Sequence, residues 1–120
     1  MKVAIPSSGQ DLTSPFELRF GRAKWFIVID ADSGRWKAFS NETNLQAAQG
    51  AGIQTAQNLA DLNVNAVITA NVGPKAYKTL KAAGIDIYIG KAQTVEEALR
   101  LYHEEKLEEA QDANVESHWG

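Results

Sequence analysis

Apolar and polar residues alternate in blocks along this chain, and the blocks predict a succession of strands and helices. Apolar runs rich in β-branched and aromatic residues predict five strands. The run Ala66–Thr69 has no polar face, which is typical of a strand covered on both sides at the centre of a parallel sheet. The predicted strands cover Lys2–Pro6, Trp25–Asp30, Arg35–Ser40, Ala66–Thr69 and Ile85–Ile89.

Helical spacing of apolar positions predicts three helices, which begin near Ala51, after Gly73-Pro74 and at Thr94. Gly84 suits the residue that closes the second helix, and Thr94 with Glu97 forms a capping box at the start of the third. The strands Trp25–Asp30 and Arg35–Ser40 are joined by a short turn and are therefore expected to form an antiparallel hairpin. In the second half of the chain, strands and helices alternate. This order predicts an α/β domain with a mixed sheet and helices on both faces.

Three segments lack such periodicity. Gln10–Arg22 predicts an extended loop, which is either functional or a surface excursion, and Asn41–Gly50 predicts a second loop. Glu108–Gly120 predicts a mobile acidic tail. We therefore divide the chain into one domain, residues 1–107, and a flexible tail, residues 108–120.

Composition narrows the possible functions of the 120 residues. The absence of cysteine excludes disulfides and thiolate ligation of metals. The net charge is −3, and the acid is concentrated in Glu104–Glu116, so the remainder is too weakly basic to predict nucleic-acid binding. No apolar run is long enough to span a membrane, and the N-terminus does not resemble a signal peptide, so we expect a cytoplasmic protein.

Catalytic patterns are missing from the sequence. The first strand carries no carboxylate for a nuclease metal site, and Asp30 and Asp32 flank a turn that they are expected to cap. His103 is expected on a helix surface and His118 in the tail, so neither completes a catalytic or metal site. We expect a protein that is not an enzyme and that has no catalytic or metal-ligating residues.

Three loops are expected to meet at the carboxyl edge of the sheet, where open α/β sheets bind ligands. They are Ser7–Gly9, Asn71–Pro74 and Gly90-Lys91. They supply backbone N–H groups, hydroxyls, an amide and a lysine, which suit an anion, although each glycine turn alone is equally typical of a strand-to-helix connection. Arg19-Phe20-Gly21-Arg22 adds two cations, or else forms a solvated edge with Phe20 packed inward. The predicted binding residues are Ser7, Ser8, Arg19, Phe20, Gly21, Arg22, Asn71, Gly73, Pro74, Lys75 and Gly90.

Several short motifs occur in a fixed order along the chain: Met1–Pro6, Phe20–Ala23, Gly50–Gly52, Asn71–Pro74 and Gly90 with Thr94–Leu99. In order and spacing they resemble the dinitrogenase iron-molybdenum cofactor biosynthesis family, which includes NifX-like proteins and the C-terminal region of NifB. The similarity covers about residues 1–107. It implies a three-layer, ribonuclease-H-like α/β/α fold with a five-stranded mixed sheet and three helices. It also implies a small stand-alone domain that binds or carries an iron-molybdenum or iron–sulfur cluster precursor without catalysis.

Two positions depart from the family pattern. Arg19 and Gln49 stand where the family often has histidine, before Phe20 and Gly50 respectively. A preassembled anionic cluster would therefore be held non-covalently by arginines and backbone N–H groups rather than by imidazoles.

Two alternatives belong to other functional classes. A protein-interaction module would keep the family fold without a cluster and would bind a partner through the edge strand with Trp36 and Phe39, or through the acidic tail with Trp119. An enzyme acting on nucleotides is the third hypothesis.

Overall fold

A mixed sheet of six strands forms the middle layer of the molecule, in the order β3-β2-β1-β4-β5-β6. This is a computed structural model, and it describes residues 1–45 and 51–115. Strands β1, β4 and β5 are parallel, whereas β2 and β6 run antiparallel to the strands beside them. The strands are β1 Lys2–Ser7, β2 Trp25–Asp30, β3 Trp36–Ser40, β4 Ala66–Thr69, β5 Asp86–Ile89 and β6 Glu108–Glu109.

Helices cover both faces of this sheet, as predicted. Successive residues of β1 point to opposite faces, so Ala4 belongs to the core beneath α2 and α3, whereas Val3 and Ile5 belong to the core beneath α4. No helix in the described ranges has the length and apolar character needed to cross a bilayer. The helices are α1 Glu42–Leu45, a single turn, then α2 Ala51–Asp61, α3 Pro74–Ala82 and α4 Val95–His103.

The expectation of five strands was wrong, because the chain adds β6 after the last helix. Glu108 pairs with Ile89, Glu109 pairs with Tyr88, and the Ala110 N–H donates to the Ile87 carbonyl at 2.7 Å. Two exposed glutamates carry no apolar pattern, so the sequence could not reveal this strand. Residues 108–115 therefore make defined contacts. Trp119 and His118 lie outside the described residues, and the division between domain and tail stays a prediction.

Pro6 opens a gap in the sheet between β1 and β4. The ladder between these strands ends at Ala4 and Val67, while β1 continues to pair with β2 as far as Ser7. Proline has no N–H to offer β4, and its carbonyl accepts the Glu17 N–H at 3.0 Å instead. We expected Pro6 to end the strand, but it ends only one of its two ladders. The segment Phe16–Arg19 enters the gap, where it bridges to Ser7 on one side and to Asn71 on the other.

Asn41 organises the region that the sequence predicted as a loop. Its side chain is buried and donates to the Ala23 carbonyl at 2.8 Å, while its amide oxygen accepts from Asn44 at 2.7 Å and from the Thr55 hydroxyl at 3.1 Å. These bonds connect α1, α2 and the segment after Arg22. Gln49 and Gly50 lie outside the described residues.

Candidate anion site at the carboxyl edge of the sheet

The segment that fills the gap after Pro6 brings Arg19 to the end of β4, and Arg22 follows in the turn Phe20–Arg22. The Asn71 N–H donates to the Leu18 carbonyl at 2.9 Å, and the Phe20 N–H donates to the Asn71 carbonyl at 3.1 Å. Phe20 was predicted as a binding residue, but its side chain is fully buried, with its ring centroid 5.4 Å from that of Phe26, so the ring packs inward and presents no surface to a ligand. Arg19 is half-buried and Arg22 is exposed. A buried aromatic residue thus anchors a turn that holds two cations at the sheet edge.

The N-terminus of α3 begins at the same place and lacks a side-chain cap. Gly73, the N-cap residue, makes no capping side-chain bond, and Pro74 occupies the first turn. The N–H groups of Lys75 and Ala76 meet no acceptor in the part of the chain that the structure describes. Such N–H groups and the helix dipole favour an anion. The start of α3 is therefore the structural basis of the candidate site.

The other helix that begins at this edge is closed to ligands by the fold itself. The Val95 N–H donates to the Ser14 carbonyl at 3.0 Å, and the Glu96 N–H donates to the Leu12 carbonyl at 2.9 Å. Thr94 Oγ1 accepts the Glu97 N–H at 3.2 Å, which confirms the predicted cap. Carbonyl groups of the loop Gln10–Arg22 therefore accept the free N–H groups in the first turn of α4. The start of α3 remains as the candidate for anion binding.

Three other predicted residues use their donors within the protein. The Ser7 hydroxyl is buried and donates to the Gly9 carbonyl at 2.7 Å. The Ser8 N–H donates to the Pro15 carbonyl at 3.0 Å, and the Gly90 N–H donates to the Thr69 carbonyl at 3.1 Å. A Cβ at Gly90 would overlap the end of the Leu107 side chain, so a larger residue there would displace Leu107. The structure brings Arg19 and Phe20 to Asn71, but Ser7, Ser8 and Gly90 shape the edge without presenting these donors to it.

Asn114 takes part in this edge and was missed by the sequence reasoning. Its amide oxygen accepts the Val72 N–H at 2.8 Å, and its amide nitrogen donates to the Ala70 carbonyl at 2.8 Å. Its own N–H donates to the Val72 carbonyl at 3.2 Å. Asn114 therefore pairs with the chain after β4 as a neighbouring strand would, and it fixes the turn that leads into α3.

The donor groups at the edge suit an anion rather than a bare metal ion. No group of three or more His, Cys, Asp or Glu side chains that could hold a metal occurs within residues 1–45 and 51–115. The titratable groups with shifted pKa values belong to other regions. Hydrogen bonding to Lys106 lowers the pKa of Glu104, and burial raises the pKa values of Tyr88 and Tyr102. Arginine, lysine and backbone N–H groups would hold a preformed anionic group without bonds to its metal.

Comparisons with known proteins agree with this architecture. Residues 1–105 match the family described as dinitrogenase iron-molybdenum cofactor. An uncharacterized protein of Methanocaldococcus jannaschii is 36% identical over 110 residues, which cover 90% of each chain. The apo form of the orange protein from Desulfovibrio gigas has a TM-score of 0.92 and 32% identity, covering 95% of this chain and 96% of its own. A Thermotoga protein proposed to be a NifB protein has a TM-score of 0.85 and 40% identity, covering 97% and 98%.

Proposed function

The chain belongs to the dinitrogenase iron-molybdenum cofactor family, and from this premise we propose that it is a non-enzymatic carrier of an anionic metallocluster. The proposed cargo is an iron-molybdenum or iron–sulfur cluster precursor, held non-covalently and carried in the cytoplasm. The observation that carries the proposal is the uncapped N-terminus of α3 beside Arg19. The apo form reported for the orange protein, a structural relative, supports a fold that is stable without cargo.

Each part of the edge has a distinct role in this proposal. The N–H groups of Lys75 and Ala76 would donate to the sulfur or oxygen atoms of the cluster, and the Lys75 ammonium would add charge. Arg19 and Arg22 would close the opposite side with guanidinium groups, which keep their charge at any physiological pH. Pro74 removes one N–H and fixes the first turn, so the remaining donors are held in place.

Anaerobic titration of the isotopically labelled protein with a reconstituted iron–sulfur cluster tests the location of the cargo. We expect NMR shifts of the Gly73 and Gly21 amides, together with those of Lys75 and Ala76. The Gly90 amide should move less because its N–H already donates to Thr69. The absence of shifts, or shifts spread over β2 and β3, would contradict the proposal.

Replacing the arginines tests how the cargo is held. Arg19→Ala and Arg22→Ala should each weaken cluster affinity about tenfold, since a charge-assisted hydrogen bond contributes about 1.5–3 kcal/mol. Arg100→Ala is the matched control, because Arg100 is an exposed arginine on α4. Unchanged affinity in both edge variants would remove the arginines from the site.

A further inference from the structure

A concave surface extends along the edge strand β3. It begins near Lys2 and Arg35, at the amino end of the parallel strands, and reaches Phe39, which lies opposite Phe26. Its volume is about 510 Å³, and it is bordered by the edge strand β3 and the end of α2. Because α2 ends at Asp61, it leaves this corner of the sheet open. Val28, Phe39 and Leu62 supply an apolar floor, and we call this surface the β3 groove.

The outer side of β3 offers backbone hydrogen bonds. This strand is the first of the sheet, and none of the described residues pairs with its outer side. The Asp30 N–H donates to the Arg35 carbonyl at 2.8 Å, and bonded pairs alternate along an antiparallel ladder. Lys37 and Phe39 therefore bond to β2, which leaves the N–H and carbonyl groups of Trp36 and Ala38 directed outward.

Positive charge surrounds the apolar floor. Lys2, Arg35 and Lys37 line the β3 groove, and Lys37 Nζ lies 5.3 Å from the centre of the Phe39 ring. The carboxylate of Asp30 also lies there, but it accepts hydrogen bonds from the N–H groups of the following turn. Trp36 is 40% exposed at the rim. Cations, an apolar floor and an open strand edge thus occur together.

We propose that β3 and its groove bind an extended acidic segment of a partner protein. The segment would add a strand beside Trp36 and Ala38, place an apolar side chain against Phe39, and pair its carboxylates with Arg35 and Lys37. A second copy of this chain fits less well, because symmetric pairing of two β3 edges would bring like charges together. The proposal does not depend on the carrier function, since strands β2 and β1 separate β3 from the end of β4, where Arg19 meets Asn71.

A synthetic heptapeptide in which glutamate alternates with valine around a central tryptophan provides the probe. We expect it to shift the amides of Trp36, Ala38 and Ser40 in the full chain, whereas a peptide with lysine in place of every glutamate should not. Equal binding of both peptides, shifts confined to other strands, or no shifts at a large excess of peptide would overturn the proposal.

Two variants separate charge from backbone pairing. Lys37→Glu should weaken peptide binding at least tenfold, and Lys78→Glu, an exposed control on α3, should leave it unchanged. Ala38→Pro removes an outward N–H that β2 does not need, so it should abolish binding while circular dichroism reports the native fold. Retained binding in Ala38→Pro would overturn strand addition.

The remaining controls distinguish the two sites and the alternative occupant. Arg19→Ala should leave peptide affinity unchanged, so failure of the carrier proposal would not affect this result. A concentration-dependent dimer in sedimentation experiments that Ala38→Pro dissociates would assign the edge of β3 to a second copy and overturn the proposed partner.

Discussion

At the carboxyl edge of the sheet, Asn114 contacts residues that are distant from it in the sequence. Its side chain pairs with the backbone of Ala70 and Val72, and Val72 itself is fully buried. The turn into α3 thus depends on a residue that follows the last helix. The contact has no counterpart in the periodic pattern, since an exposed asparagine in a segment without helical or strand periodicity predicts only a loop.

Asn114→Leu should destabilise the protein by about 1–3 kcal/mol, because a buried N–H and a carbonyl lose their partners. Chemical denaturation measures this loss, and hydrogen exchange of the Val72 amide should become faster. Gln111→Ala, a change at an exposed neighbour, is the control. If Val72 exchanges at the same rate in the Asn114 variant, the contact does not fix the turn.

Asp30 should make the stability of the β2–β3 hairpin depend on pH. N–H groups of Asp32 and Ser33 donate to its carboxylate, and these bonds lower its pKa below the ordinary 3.8. The stabilisation is therefore fully present above that value and is lost as the pH falls through the lowered pKa of the folded protein. Asp30→Asn keeps an acceptor oxygen without the titration, so its stability should fall less on acidification. Unfolding curves measured from pH 6 to pH 2 check this, and parallel curves would contradict it.

At the scale of elements, most of the fold could be predicted because helices and central strands bury periodic apolar faces. Gly84 does close α3, with φ +76°, and Thr94 does cap α4. The missing element was β6, whose two glutamates are stabilised by an exposed neighbouring edge rather than by their own burial. Elements defined by a partner strand leave little signal in their own sequence.

The candidate site was harder to predict for a similar reason. Topology predicted that the loops after the parallel strands meet at one edge, and Arg19 does meet Asn71 there. However, whether a donor remains available depends on acceptors elsewhere in the chain. Ser14 and Leu12 close α4, which the local sequence of α4 could not show.

The hydrogen bonds of Asn41 should stabilise the packing of the turn Phe20–Arg22 against α1 and α2. Asn41→Leu removes the partners of the Ala23 carbonyl, the Asn44 amide and the Thr55 hydroxyl. We expect a loss of about 3 kcal/mol or more, since each buried unpaired group costs about 1–3 kcal/mol. Thermal and chemical unfolding measure it, and Asn58→Ala, at an exposed position on α2, is the control. A loss below about 1 kcal/mol would mean that these groups find other partners.

At the scale of the whole molecule, the sheet separates two candidate surfaces. Strands β2 and β1 lie between β3 and β4, so the edge strand and the end of β4 are separated laterally by about 14 Å. Cargo at the end of β4 and a partner strand on the outer side of β3 would therefore not exclude each other sterically. This arrangement suits a carrier that must be recognised while it is loaded.

Deleting residues 108–120 should lower the stability of the protein without changing peptide binding at the β3 groove. The deletion removes β6, the buried Ala110 and the three hydrogen bonds of Asn114, so we expect a loss of about 2 kcal/mol or more. Chemical denaturation measures the loss, and peptide binding at the β3 groove should be unchanged. An unchanged unfolding midpoint would show that the segment contributes nothing to the stability of the sheet.

The position of Asn114 also affects how the protein should be purified for metal studies. A polyhistidine tag attached after Gly120 would follow Asn114 by only a few residues in the sequence, and Asn114 itself contacts the turn before α3. Its imidazoles would compete for iron or molybdenum next to the proposed cargo site. The same tag attached before Met1 would lie at the amino end of β1, where Met1 pairs with Ala31. Metal uptake by the protein itself is therefore best measured with the tag at the N-terminus or removed.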